Sequence, residues 1–257
     1  MIGESTPILG DLTLARHDGR RAAELRPLEI IRGYTDNAAG SVRISTGRTI
    51  VLCTACWEAS VPPWRRGQGK GWVTAEYDML PGATGERRRR NRMRVDGRTR
   101  EIERLIGRSL RAVVDLEALG ENSILLDCDV LQADGGIRTA AITGAYIALC
   151  DAVRTAIRRK HIKASPVREA VAAVSVGLVN GRVLLDLDYE EDVAAGVDMN
   201  IVMTGSGRFV EVQGTAEHTT FTRSDLDRFV RLASRGIKQL IEMQEKAMRK
   251  RLRPPTT

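Results

Sequence analysis

No stretch of this 257-residue chain approaches the ~20 consecutive apolar residues of a membrane-spanning helix, so no membrane association is expected. The first residues, MIGESTPILGDLTLARHDGRR, lack a basic-then-apolar signal pattern, and a cytoplasmic location is the expectation that follows. Cysteine is scarce: four residues do not make a disulfide framework for a chain of this size. Cys53 and Cys56 spell CTAC inside TIVLCTACW, but an odd offset in a strand sends their side chains to opposite faces. No second pair and no nearby histidine completes a site, which leaves core packing as their role. A nucleotide P-loop is missing as well. GQGKG at 67–71 has neither Ser nor Thr after its lysine, and its outer spacing is wrong.

What is present describes a soluble globular chain, with 42% hydrophobic and 28% charged residues. The length suffices for one large domain or two small ones. Forty Lys and Arg against 33 Asp and Glu leave +7 and a pI near 9.6, which permits an anionic partner without identifying one.

The most informative stretch runs from Leu125 to Val153, because its hydrophobic period changes in the middle. Leu125, Leu126, Cys128, Val130 and Leu131 read as a buried strand. After Asp134, Gly135, Gly136, Ile137 and Arg138, the residues Ile142, Ala145, Tyr146, Leu149, Val153 and Ile157 recur at helical spacing. The two glycines permit positive φ and close approach of the backbone. The free N–H groups of the helix start, with Arg138 beside them, then outline an anion site; an ordinary strand-to-helix turn with a surface arginine would spell the same way.

Elsewhere PLEIIRGY, SVRISTG and RTIVLCTAC read as strands, with a tight turn at Thr46 and Gly47. A short run, WVTAEYDML, follows the glycine-rich loop. Arg98 opens a helix with Thr99 as its cap and Ile102, Leu105, Ile106, Leu110 and Val113 as its buried stripe. Asn180 and Gly181 form the turn of a hairpin that ends in an acidic cluster, Glu190, Glu191, Asp192 and then Asp198. A second hairpin passes through Gly205 and Gly207, and Ser224 with Asp227 starts a terminal helix. The class is α+β: a loose arm at 1–15, one body of two similar halves at 16–245, and a basic tail at 246–257.

Between the first strands and the Arg98 helix lies a block of one sign: Arg87, Arg88, Arg89, Arg90, Arg92 and Arg94. With no hydrophobic period it reads as a loop, either merely solvated or gripping the phosphate backbone of nucleic acid through counterion release. The second Arg-bearing helix start that follows favours the grip.

Several longer strings resemble the ribonuclease PH family, phosphate-dependent exoribonucleases that trim the 3′ ends of transfer RNA precursors. They are GQGKGWVTAEYDMLP, GRTREIERLIGRSLRAVVDLEALGE, LDCDVLQADGGIRTAAITGAY, EEDVAAGVDMNIVM and FVEVQGTAE, and the resemblance covers about Asp18 to Gln244. It implies a duplicated β-α fold (ribosomal protein S5 domain 2-like), shared with polynucleotide phosphorylase and exosome ring subunits, and a homohexamer built as a trimer of dimers. It also implies that Arg98 binds inorganic phosphate as a co-substrate, with Gly136, Ile137 and Arg138 as the second phosphate element. Asp192 and Asp198 become the acidic pair at the reacting bond, and the arginine block guides the RNA.

Asp198 is the expected general acid toward the departing 3′ oxygen, with Asp192 raising its pKa; alternatively the two carboxylates hold Mg²⁺. Three departures from the family's pattern stand out. Ile137 replaces the usual Thr, leaving Thr139 or the second arginine to compensate; Asp78 replaces a small residue; and the loop before Arg98 is shorter and richer in arginine. Ile137 is the feature that favours the alternative, a catalytically weakened RNA-binding ring subunit.

Overall fold

A computed structural model of the chain describes residues 16–89, 96–217, 219–250 and 252. The expected arm at 1–15, the residues Arg90, Arg92 and Arg94, and nearly all of the tail beyond Lys250 lie outside the described residues.

The first half begins as an antiparallel meander of β1 (Leu28–Arg32), β2 (Gly40–Thr46) and β3 (Thr49–Glu58). The tight turn sits one residue later than expected, at Gly47 and Arg48, because Gly47 supplies the positive φ of 57°. A single 3-10 turn, Pro63–Arg65, leads to β4 (Trp72–Met79), then α1 (Gly97–Arg111), the short α2 (Leu116–Leu119) and β5 (Ser123–Gln132). β5 pairs antiparallel with β3 and parallel with β4, which makes β4-α1-β5 a crossover unit and gives the sheet order β1-β2-β3-β5-β4.

The long α3 (Ile137–Arg158) leads to the second half: β6 (Val171–Val179), β7 (Arg182–Leu185), α4 (Tyr189–Ala194), β8 (Ala195–Thr204), β9 (Phe209–Ala216) and α5 (Arg223–Arg249). Its sheet order is β7-β6-β8-β9. Asn180 and Gly181 both have positive φ, 50° and 74°, as a type I′ hairpin requires. The expected tail boundary at 245 falls inside α5, which continues to Arg249.

Two apolar cores explain the layering. In one, Val42, Ile44, Val51 and Cys53 of the first sheet meet Ile106 and Leu110 of α1 and Ile142, Ala145 and Leu149 of α3. In the other, Val174, Val176, Met199 and Ile201 meet Phe229, Ala233 and Ile237 of α5. Alternate residues of β6 join different cores, so this strand is covered on both faces and reads as an unbroken apolar run. α3 likewise lies buried almost all round, where one apolar stripe was expected. It is long and apolar enough to cross a membrane, but 89% of its most apolar window is buried, so it is the core helix of this fold. Cys53 is buried and Cys56 exposed, as strand alternation requires.

Two caps differ from the expectation. Asp96, not Thr99, caps α1, accepting the Thr99 N–H at 2.7 Å. Thr222 and Asp225, not Ser224 and Asp227, form the capping box of α5.

Candidate active site

Parallel β4 and β5 end side by side, and the helices α1 and α3 begin at that same edge. A cavity of about 730 Å³ opens there, walled on its other side by α4 and β8 of the second half. Arg98, Gly136, Ile137, Arg138, Asp192 and Asp198 all line it. Six positions spread over a hundred residues of sequence therefore share one space.

The turn from β5 into α3 owes its shape to two glycines with φ of 71° and 60°, Gly135 and Gly136. A Cβ on Gly135 would lie 2.5 Å from the backbone of Asp188, and one on Gly136 would meet the Arg26 guanidinium at 2.6 Å. The close approach is thus to the second half of the protein itself: it seats the turn against the chain entering α4. Among the described residues no side chain caps α3, whereas Asp96 caps α1, so the first-turn N–H groups of α3 have no side-chain acceptor there.

Arg98 is exposed at the start of α1 and makes no ion pair among the described residues. Arg138 is more constrained. Its Nη1 donates to Gln213 Oε1 at 2.9 Å and to Glu101 Oε1 at 3.2 Å, and Gln213 Nε2 donates to the same Glu101 oxygen at 3.0 Å. Ile137 packs its side chain against the apolar core. Thr139 cannot stand in for a hydroxyl at 137, because it is buried and its Oγ1 donates to Gly136 O at 2.8 Å.

Desolvation in the cleft raises the Asp192 carboxyl, and Asp198 raises it further, against the pull of Arg138 and Arg98. Asp198 is raised by burial and next by Glu217, a second like-charged neighbour beside the expected Asp192, with which its repulsion is mutual. Of the rest of the acidic cluster, Glu190 points to solvent and Glu191 is structural. Glu191 is buried in an ion pair with Arg16 and forms a capping box with Asp188. His17, Asp188 and Glu191 come close enough to share a metal ion, but Arg16, Arg20 and the His17–Asp188 bond at 2.7 Å already occupy those oxygens.

Arg87, Arg88 and Arg89 are exposed, and Arg88 lines the cavity. Asp78 faces outward with Glu76, Asp127 and Asp129 around an adjoining cavity of about 460 Å³, which shares Tyr77 and Arg88 with the first. In the GQGKG loop, Lys70 pairs with Glu117 at 2.8 Å and the Gly69 N–H meets Glu121 at 3.0 Å, so carboxylates take the donors a phosphate loop would offer.

Gln213, Glu101, Glu217 and Tyr77 also belong to the site, and sequence reading passed over them as site residues. Burial pushes the Tyr77 hydroxyl up to about 12 although Arg98, Arg88 and Arg138 lie near it. Gln213 and Glu217 stand within the FVEVQGTAE string, but nothing in their spacing says which face of β9 meets Arg138.

The 3′ exoribonuclease family model for domain 1 matches residues 24–154, and that for domain 2 matches residues 169–236. Ribonuclease PH of Corynebacterium efficiens is 57% identical over 238 residues, covering 92% of this chain and 97% of the relative. Ribonuclease PH of Bifidobacterium longum is 54% identical over 245 residues, covering 94% and 99%. Among solved structures, rice (Oryza sativa) Rrp46 superposes with a TM-score of 0.76 at 20% identity over 91% of this chain and all of that one. An Archaeoglobus fulgidus exosome with RNA bound to the active site matches with a TM-score of 0.76 at 22% identity over 90% and 92%. These two likenesses establish the shared fold.

Proposed function

This chain belongs to the 3′ exoribonuclease family, in its ribonuclease PH group, and from that membership we propose that it shortens RNA from the 3′ end by phosphorolysis, trimming transfer RNA precursors. Inorganic phosphate attacks the last phosphodiester and a nucleoside diphosphate leaves; the reverse reaction adds nucleotides. The observation that carries this reading is the meeting of two arginines and two raised carboxylates in one cavity.

Phosphate itself is the nucleophile, so the protein has to position two anions and offset their repulsion. Arg98 and the free donors of Arg138 face the attacking phosphate with the N–H groups of α3 at Gly136 and Ile137. Asp198, held toward its protonated form, is suited to give a proton to the departing 3′ oxygen. The same mutual repulsion of carboxylates fits a cation, and Asp192 with Asp198 would hold Mg²⁺, which takes few protein oxygens alongside phosphates. When bound, that ion would offset charge on the phosphates. Arg87, Arg88 and Arg89, together with Arg90, Arg92 and Arg94, contact the RNA backbone.

We further propose that the protein works in the cytoplasm as a homohexamer, a trimer of dimers. Phe209 and Val212 on β9 are left about half exposed, which supports association with further copies.

The experiment is release of nucleoside diphosphate from a short RNA with and without phosphate. Phosphate-dependent release is expected. RNA binding with no release at any phosphate level would favour a weakened binding subunit, for which the apolar Ile137 is the one supporting feature.

A further inference from the structure

At the far end of α1 from the cavity, two arginines make three contacts with aromatic rings. Arg65 lies 5.7 Å from the Trp64 ring centre and 5.4 Å from that of Trp72, and Arg111 lies 4.4 Å above Trp72. The two indoles meet edge to face at 4.8 Å, which leaves Trp64 with 57% of its surface exposed. Arg111 is held below its ordinary pKa by burial and by Arg108 and Arg65 beside it. Among the described residues Arg65 carries a buried Nε without a hydrogen-bond partner, and its Nη1 donates to the neutral Gln68 at 3.2 Å. Crowded guanidinium groups with little carboxylate compensation are a surface that an anion relieves.

The same end of α1 is joined to the cavity by a row of arginines. Arg100, Arg104, Arg108 and Arg111 recur at spacings of four, four and three, and the first three are exposed on one side of the helix. Arg108 pairs with Glu211, but Arg100 and Arg104 form no ion pair among the described residues. Two independent elements give the distance covered. Eleven helical steps from Arg100 to Arg111 rise roughly 16 Å, and five strand steps from Tyr77 at the cavity to Trp72 extend roughly 16 Å.

We infer that this arginine row and Trp64 form a track for single-stranded RNA, in which the backbone follows Arg100 and Arg104 and a base stacks on Trp64 a few nucleotides upstream of the reacting bond. The inference rests on the exoribonuclease reading of the cavity and adds a substrate requirement to it. An RNA too short to reach Trp64 lacks the stack, so trimming slows once the single-stranded end falls below that reach. Aromatic faces take any base, and arginines read phosphate rather than sequence, so the preference concerns length and not sequence.

The test compares the full-length protein with Trp64→Ala, Trp64→Phe and Arg104→Gln on unstructured RNAs of increasing length. Rate at limiting RNA and RNA affinity by fluorescence anisotropy are both measured, and solution mass is recorded for each variant. The parent-to-Trp64→Ala ratio is expected to grow with length and reach about tenfold for RNAs that span the track. Trp64→Phe should restore much of the loss, and Arg104→Gln should flatten the salt dependence of binding by roughly 0.7. A ratio independent of length would overturn the proposal, as would a changed solution mass with unchanged RNA affinity, which would make this face a contact between copies of the chain. Should the parent release no nucleoside diphosphate from any RNA, the reading of the cavity fails, and affinity against length still decides the track.

Discussion

Arg138 at the start of α3 donates from Nη1 to Gln213 Oε1 on β9 at 2.9 Å, a bond between residues 75 apart that crosses from one half of the protein to the other. With Glu101 accepting from both, it sets the direction of the guanidinium before any anion arrives. Preorganisation of this kind lowers the cost of binding a small anion.

Gln213→Leu is accordingly expected to raise the phosphate concentration for half-maximal rate by about three- to tenfold, the net worth of one ordinary hydrogen bond, because Glu101 still holds the guanidinium. RNA affinity should stay within a few-fold. An unchanged phosphate dependence would show that Arg138 does not rely on β9.

Ile137→Thr should lower the phosphate requirement, since Thr139 is committed to Gly136 and supplies no hydroxyl to the cavity. The gain expected from one added hydrogen bond is up to about tenfold. Arg138→Ala removes a full charge and should damage the rate far more than any change at 137. Rate against phosphate concentration for the three proteins checks the order.

Asp198→Asn should reduce single-turnover release by about 100-fold or more with RNA affinity little changed. Its effect on stability has the opposite sign. The carboxyls of Asp192 and Asp198 are raised in the folded protein, so their ionised forms oppose folding above those pKa values, and the opposition fades as pH falls and both protonate. Asp192→Asn is therefore expected to raise the thermal midpoint at pH 7, with the gain shrinking toward acid pH. A midpoint below the parent's at pH 7 would contradict the repulsion.

Gly135→Ala places a Cβ against the Asp188 backbone at a positive φ. Destabilisation beyond about 1 kcal/mol is expected by denaturant unfolding, with a loss of turnover because the turn and α4 are pushed apart. Gly207→Ala, also at positive φ but with open space around it, should cost stability and leave turnover alone.

Periodicity along the chain was enough to mark β5, the glycine turn, the start of α3 and the Asn180–Gly181 hairpin, because each depends on residues within a few positions of one another. The roles of Arg98, Arg138, Asp192 and Asp198 came instead from the resemblance of the strings that hold them to the ribonuclease PH family. What stayed hidden depends on partners far apart in the chain. Asp96 outcompeted Thr99 as a cap through side-chain geometry, and α3 lost its polar face because β6 covers it. The Glu191 of the acidic cluster became structural only when Arg16 reached it across 175 positions. The roles of Gln213 and Glu217 likewise follow from β9 pairing beside β8, which sets them against Arg138 and Asp198. Local spacing specifies what an element is, and burial between elements decides which of its side chains meet; that choice is made only when the two halves close on each other.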